Sequence, residues 1–338
     1  MGGDHGPEEV VNAAAQLSQD RDDLRTLLVG PGDAVSQLLD EQRYDPARLS
    51  VVHTEQWVRP DAPPRDQLDA QPDASILLAA RLVAEGRADA AVTAGSAGAA
   101  ILASAEHLGR VAGVRRACLA AVIPTERRHG PRQDPFALLL DVGATLDATA
   151  RDLVTFAAMG SAYASAVSGN PNPRVALLSN GTESHKGPSE VVEAHRILSE
   201  IDALDFAGNI EGLDIPRGTV DVVVTSGFLG NVVLKMLEGL GEVVADLTAD
   251  VRARKYLQGL GLLLLSSGVE RVRRLLDWES YGGAPILGFT RPVIKAHGRS
   301  RHRAIANACK VAAKAARSDM VRTVERAMTD LPFDEDAL

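Results

Sequence analysis

The stretch from Val220 to Gly239 constrains this chain more than any other. It opens with Val220-Asp-Val-Val-Val224, and a run without alternation is the pattern of a strand covered on both faces. The glycine loop Ser226-Gly227-Phe228-Leu229-Gly230 follows, then Asn231. Beyond it Val232, Val233, Leu234, Met236, Leu237 and Leu240 recur at helical spacing, so a helix is expected with Asn231 as its N-cap. A strand, a glycine turn and a helix N-terminus bring free backbone N–H groups and a positive dipole end to one point. That geometry binds anions, phosphate above all. Lys235, one turn into the expected helix, adds a full positive charge. An ordinary β–α unit, whose glycines only make the turn, has the same pattern, and the motif alone does not choose between them.

The same arrangement recurs along the chain. Residues 24–30, 49–54, 88–93, 119–123, 137–141 and 174–179 read as strands, and residues 7–17, 33–42, 75–85, 99–108, 152–167 and 189–200 as helices. Residues 59–72 read as a Pro- and Asp-rich linker, and residues 125–134 as a polar, basic loop. Alternation at this spacing predicts an α/β protein, three layers with a mostly parallel sheet between helices, built as one domain over residues 1–330. Active sites of such sheets lie at the carboxyl ends of the strands, where all these glycine loops fall. Met1–Pro7 reads as a loop into the first helix, and a β–α order calls for a strand before it; that strand is expected upstream of Met1. Residues 331–338 read as a frayed acidic tail.

The composition is that of a soluble α/β enzyme, 45% hydrophobic with only 4% aromatic residues. A formal net charge of −9 argues against a general nucleic-acid binder. Cys118 and Cys309 lie in Ala-rich surroundings without metal-ligand spacing and are expected to be reduced core residues. The amino terminus has no basic-then-apolar leader, and no segment reaches the ~20 apolar residues of a membrane span. A cytoplasmic location is expected.

After Gly239 the pattern changes. Leu257, Leu260, Leu262 to Leu265, Val269, Val272, Leu275 and Leu276 are flanked by Arg252, Arg254, Lys255, Arg271, Arg273 and Arg274. Residues 252–276 suit a helical pair lying on an anionic surface, or a helical hairpin in a dimer interface, within a protruding segment at 245–277. Both readings stay open.

Six motifs occur in one order: Gly2-Gly3-Asp4-His5-Gly6-Pro7, Gly181-x-Glu183-x-x-Lys186-Gly187, Gly208-Asn209-x-Glu211-Gly212-x-Asp214-Ile215, Gly227-Phe228-x-Gly230-Asn231-Val232, Tyr281-Gly-Gly-Ala-Pro285 and Lys295-Ala-His-Gly298. Together they resemble the PlsX-type phosphate acyltransferases, over residues 2 to about 309. The resemblance implies a fold like that of isopropylmalate dehydrogenases and phosphate acetyltransferases. It implies a homodimer at the inner face of the plasma membrane, transferring a long-chain acyl group from acyl-carrier protein to inorganic phosphate. The acyl phosphate would feed a membrane glycerol-3-phosphate acyltransferase. Three places depart from the family: Gly95-Ser96-Ala97-Gly98 where it has Gly-Asn-Thr-Gly, Ser226-Gly227-Phe228 where it has Asp-Gly-Phe, and Thr145 where it has Asn. Polar side-chain roles at positions 96, 97, 145 and 226 are therefore in doubt, while backbone donors remain.

This chemistry asks little of the protein. Phosphate is already a nucleophile, and a thiol of pKa ~8.5 leaves without a strong acid. What remains is to hold phosphate against the thioester carbonyl and stabilise the oxyanion. Lys186 and Lys295 are expected to hold phosphate, Asn231 to polarise the carbonyl, and His297 to orient phosphate or protonate the departing sulfur. Asp4, His5, Gly95, Ser96, Gly98, Gly227, Phe228, Gly230, Lys235 and Gly298 are expected to line the substrate site. Phe228, Leu229 and Leu260 to Leu265 are apolar candidates for the acyl chain. Arg127, Arg128 and Arg132, or the basic flanks of 252–274, would suit an acidic carrier protein, although a solvated loop explains the first set as well. No cofactor or metal is expected. Three rivals remain: a coenzyme A-dependent short-chain enzyme, a metal- and nicotinamide-dependent dehydrogenase using Asp246 and Asp250, and a catalytically silent membrane scaffold.

Overall fold

The computed structural model describes residues 1–59, 61–129, 134–254, 282–331 and 333. The chain begins α1 (Glu8–Asp20), β1 (Thr26–Gly30), α2 (Gly32–Asp40), β2 (Leu49–His53), α3 (Pro64–Ala70), α4 (Ser75–Ala84), β3 (Ala91–Thr93) and α5 (Ala97–His107). It continues with β4 (Cys118–His129), β5 (Asp134–Leu140), α6 (Ala150–Tyr163), β6 (Arg174–Leu178), α7 (Ser189–Leu198), β7 (Asp205–Ile210), α8 (Asp214–Arg217), β8 (Val222–Val224) and α9 (Gly227–Arg254). It closes with β9 (Ala284–Leu287), β10 (Val293–Lys295), α10 (His302–Arg317) and α11 (Met320–Thr329). By packing, the chain divides into two compact units, Met1–Ala120 with Tyr281–Leu338, and Ala121–Ser280. The sequence reading treats residues 1–330 as one domain.

In the first unit β1 and β2 pair in parallel as a sheet of their own, while β3, β10, β9 and the start of β4 lie side by side in that order. β3 runs parallel to β10, and β9 is antiparallel to both its neighbours. Ala13 and Leu17 of α1 and Ile305, Ala308 and Ala312 of α10 pack on Ile294 of β10. Small alanines let the helices approach the strand closely. A cavity of about 1160 Å³ runs along β1 and β3, with Met1, Gly2 and Gly3 at one end and Asp22, Asp23 and Arg87 among the residues lining it. Both cysteines carry free thiols. Cys118 is buried, and desolvation pushes the Cys309 thiol up to about 11.

In the second unit the order is β5, β8, β6, β7, all parallel. Val222, Val223 and Val224 are all buried, and successive residues of a strand face opposite sides, so β8 is covered on both faces as its valines suggest. Helix α6 packs against β5, β8 and β6. Its start is fixed by a capping box, in which the Thr149 side chain takes the Asp152 N–H and the Asp152 carboxylate takes that of Thr149.

The mixed α/β architecture and the mostly parallel pairing agree with the strand and helix alternation in the sequence. Several local expectations are corrected. Part of the linker at 59–72 is helix α3, because Pro64 at the first helical position is pre-set for it and buried Gln67 bonds the backbone of Arg59 and Ala62. The expected loop at 125–134 is strand as far as His129 and again from Asp134, since pairing between neighbours outweighs the weak strand propensity of Glu126 and Arg127. Strand β7 has no counterpart in the sequence reading. The expected hairpin at 245–277 begins as a continuation of α9 to Arg254, and its remainder lies outside the described residues. Among the described residues no helix is long and apolar enough to cross a membrane.

Gly160 tests the packing of α6. Alanine is favoured over glycine in a helix by about 1 kcal/mol. Here, however, a Cβ would stand 2.6 Å from Val222 Cγ1 and 3.0 Å from Leu140 Cδ1, both on buried strands. Overpacking wins: Gly160→Ala should destabilise the protein by about 1–3 kcal/mol in chemical denaturation. An increase in stability would contradict this packing of α6.

Candidate functional site

In the second unit the loops after β5 and β8 are built as one piece. The Asp141 carboxylate is buried and accepts the N–H groups of Gly143 at 3.2 Å, Ala144 at 3.1 Å and Thr145 at 2.5 Å. This curls residues 141–145 into a compact turn, and the start of α9 docks on it. Gly227 N–H donates to Thr145 O at 2.9 Å and Phe228 N–H to Leu146 O at 3.4 Å. A Cβ on Gly230 would lie 1.8 Å from Asp141 O, so only glycine allows this approach. Asn231 Nδ2 donates to Val142 O at 3.0 Å.

This arrangement corrects the sequence reading of the loop. The helix begins at Gly227, and Asn231 is not its N-cap but lies inside it. Two of the N–H groups expected to be free for an anion are bonded to the 145–146 backbone. Lys235 lies two turns into the helix, and its ammonium pairs with the buried Glu238 carboxylate at 2.7 Å. Exposed Phe228, Leu229, Val232, Met236, Leu240, Val243 and Leu247 form an apolar stripe along α9.

The loop after β6 places Lys186 at the same carboxyl edge, since β6 lies beside β8 and parallel to it. Lys186 N–H donates to Glu183 O at 3.0 Å, closing a tight turn. The stem of Lys186 lies over Gly181, where a Cβ would meet its Cγ at 3.0 Å. Gly187, at φ +107°, turns the chain away toward α7 with no room for a side chain beside Ser179 and Val191. Lys186 is half-buried, and among the described residues no carboxylate pairs with its ammonium.

The first unit gathers the remaining residues at the carboxyl ends of β3 and β10, which run in register with Lys295 opposite Thr93. Ala296 N–H donates to Thr93 O at 2.7 Å, and Asp4 N–H to Gly298 O at 2.9 Å. The Gly2–Gly3 backbone lies against Ala94 and Gly95: a Cβ on Gly2 would meet Gly95 Cα at 3.0 Å. The Lys295 ammonium donates to Ala296 O at 2.8 Å. His297 Nδ1 accepts the Arg299 N–H at 3.2 Å, so in the neutral ring the proton sits on Nε2. Asp4 and His5 are exposed. Ser96 caps α5 by accepting the Ala99 N–H at 3.3 Å, which gives this departure from the family motif a structural task; Gly98 lies in that helix's first turn.

Lys186, Asn231, Gly227, Phe228, Gly230 and Lys235 thus belong to the second unit, and Asp4, His5, Gly95, Ser96, Gly98, Lys295, His297 and Gly298 to the first. Sequence reasoning missed Asp141, although it ends the strand expected at 137–141. An acidic residue directly before a glycine turn was the available signal, since such a side chain takes the turn's own N–H groups. Among the described residues no group of three or more His, Cys, Asp or Glu is placed to hold a metal.

A family model described as fatty acid synthesis protein matches residues 1–323. A phosphate acyltransferase of Heliobacterium modesticaldum is 41% identical over 326 residues, covering 96% of this chain and 95% of that protein. Among solved structures, a phosphotransacetylase from Streptococcus pyogenes aligns with TM-score 0.63 at 16% identity, covering 92% of this chain and 91% of that one. The EutD phosphotransacetylase from Staphylococcus aureus aligns with TM-score 0.60 at 17% identity, covering 91% of each. At such identities the structural likeness speaks to the fold.

Two glycines of α9 separate docking from helix propensity. Gly239 has open space where a Cβ would be. Gly239→Ala should raise stability by about 0.5–1 kcal/mol. Gly230→Ala must push the helix off the Asp141 turn, and should lower the melting temperature and activity together. Equal effects of the two substitutions would contradict the docking described.

Proposed function

Because the chain belongs to the fatty acid synthesis protein family, we propose that it transfers a long-chain acyl group from acyl-carrier protein to inorganic phosphate, giving acyl phosphate for phospholipid synthesis. Acyl transfer to phosphate is the activity that its relatives' name carries. Phosphate attacks the thioester carbonyl directly, and the thiol leaves with no covalent enzyme intermediate. The protein's task is positioning and charge neutralisation.

One observation carries this reading. Lys186 is a half-buried cation without a carboxylate partner among the described residues, on a turn fixed at the carboxyl edge of a parallel sheet. An ammonium held this way is available to an anionic substrate, whereas Lys235 is already neutralised by Glu238. Lys186 binds phosphate in this account. Lys295 contributes a second cation, and His297 orients phosphate through its Nε2–H or, as imidazolium, protonates the departing sulfur. Asn231 polarises the carbonyl with the second N–H of its Nδ2, the first being donated to Val142 O.

The long-chain donor is supported by the exposed stripe of α9, where Phe228 and Leu229 stand at the loop itself. A homodimer, and contact with an anionic membrane surface through residues 252–276, would cover such a stripe. Handing the product to a membrane glycerol-3-phosphate acyltransferase fits the same location at the inner face of the plasma membrane.

Lys186→Ala should lower kcat/KM for phosphate by roughly 10- to 100-fold, the scale of one lost charge-assisted hydrogen bond. The assay is phosphate-dependent release of free thiol from palmitoyl-acyl-carrier protein with no added metal. An unchanged phosphate dependence would remove Lys186 from the site.

A further inference from the structure

The turn that carries Lys186 is held from the neighbouring strand. Asn209 on β7 is buried, and its Nδ2 donates to Glu183 O at 2.9 Å, with Lys186 O farther off at 3.5 Å. Glu183 O also takes the Lys186 N–H, so both bonds close the same turn. Asn209 Oδ1 lies 3.0 Å from His195 Nδ1 on α7. The two backbone carbonyls fix which end of the amide is NH₂, and the oxygen facing His195 then requires a proton on Nδ1. The imidazole edge packs on Phe206, with ring centroids 5.2 Å apart at 75°.

A bulge aims Asn209 at this turn. Val175 pairs with Phe206 but Leu177 pairs with Asn209, so β7 carries one more residue than β6 between these points. Gly208, at φ +85°, takes up the extra residue. Without it the register would slip by one and turn position 209 to the other face of the sheet.

We propose that Asn209, oriented by His195, is a positioning residue for phosphate capture: it holds the 183–186 turn so that the Lys186 stem stays over Gly181 and its ammonium is held for the anion. This rests on the reading of Lys186 as the phosphate ligand. Asn209 and His195 touch no substrate in this account and act only through that lysine.

The test is a double-mutant cycle on the full chain with thiol release as the readout. Asn209→Ala should raise KM for phosphate about tenfold, leaving kcat and KM for palmitoyl-acyl-carrier protein within about twofold. His195→Phe, which keeps a ring beside Phe206 but loses the donor, should raise the same KM by about threefold. In a Lys186→Ala background, Asn209→Ala should add nothing. Additive effects, or a lower melting temperature with KM for phosphate unchanged, would overturn the proposal. If Lys186→Ala itself leaves KM for phosphate unchanged, the reading of Lys186 has failed and the positioning role falls with it. One readout is independent of turnover: ¹H–¹⁵N spectra of the ring should show His195 protonated at Nδ1, and a proton on Nε2 alone would contradict the orientation of Asn209.

Discussion

The Asp141 carboxylate is buried at the end of β5, and the N–H groups of Gly143, Ala144 and Thr145 replace the water that burial removed from it. Because those bonds fix the turn, Thr145 O and Leu146 O face the start of α9 and receive its first N–H groups. Gly230 can then lie against Asp141 O, and Asn231 reaches Val142 O. Substitutions in the turn or at Gly230 strike one construction. The helix terminus that looks open to an anion in the sequence is largely occupied by the protein's own backbone. One loop away, Lys186 has no carboxylate partner among the described residues.

The parts of the fold that were legible in the sequence have strong local signatures. The valines of β8 read as a strand covered on both faces because their packing leaves no alternation. The Gly-rich turns after β3 and β8 stand where the structure has them, because glycine is needed for close backbone approach. What could not be read depends on distant partners. β7 mixes Phe206, Ala207 and Ile210 with Asp205, Gly208 and Asn209 and is interrupted by a bulge at Gly208, so neither periodicity nor propensity marks it. The onset of α9 is set by Thr145 and Leu146, some eighty residues upstream, and not by the Asn231 cap expected from local rules.

The site was legible as residue types and not as roles. Lys186, Asn231, Lys295 and His297 all stand at strand ends or the helix starts that follow them, as the motifs suggest. Their neighbours decide what each has left to offer. Lys235 is tied to Glu238, the Lys295 ammonium to Ala296 O, and one Nδ2–H of Asn231 to Val142 O. Ser96, in doubt as a substrate ligand because it departs from the family motif, caps a helix. Asn209 belongs to one of the six motifs and His195 to none, and the bulge in β7 joins them to the Lys186 turn.

The account rests on the acyl group leaving as acyl phosphate. Phosphorus NMR of the full chain mixed with palmitoyl-acyl-carrier protein and inorganic phosphate tests this most directly. A new acyl phosphate resonance, growing one for one with free thiol and absent without protein, is the result expected. Thiol release that yields free fatty acid and leaves the phosphate signal unchanged would make the protein a thioesterase and contradict phosphate as the acceptor.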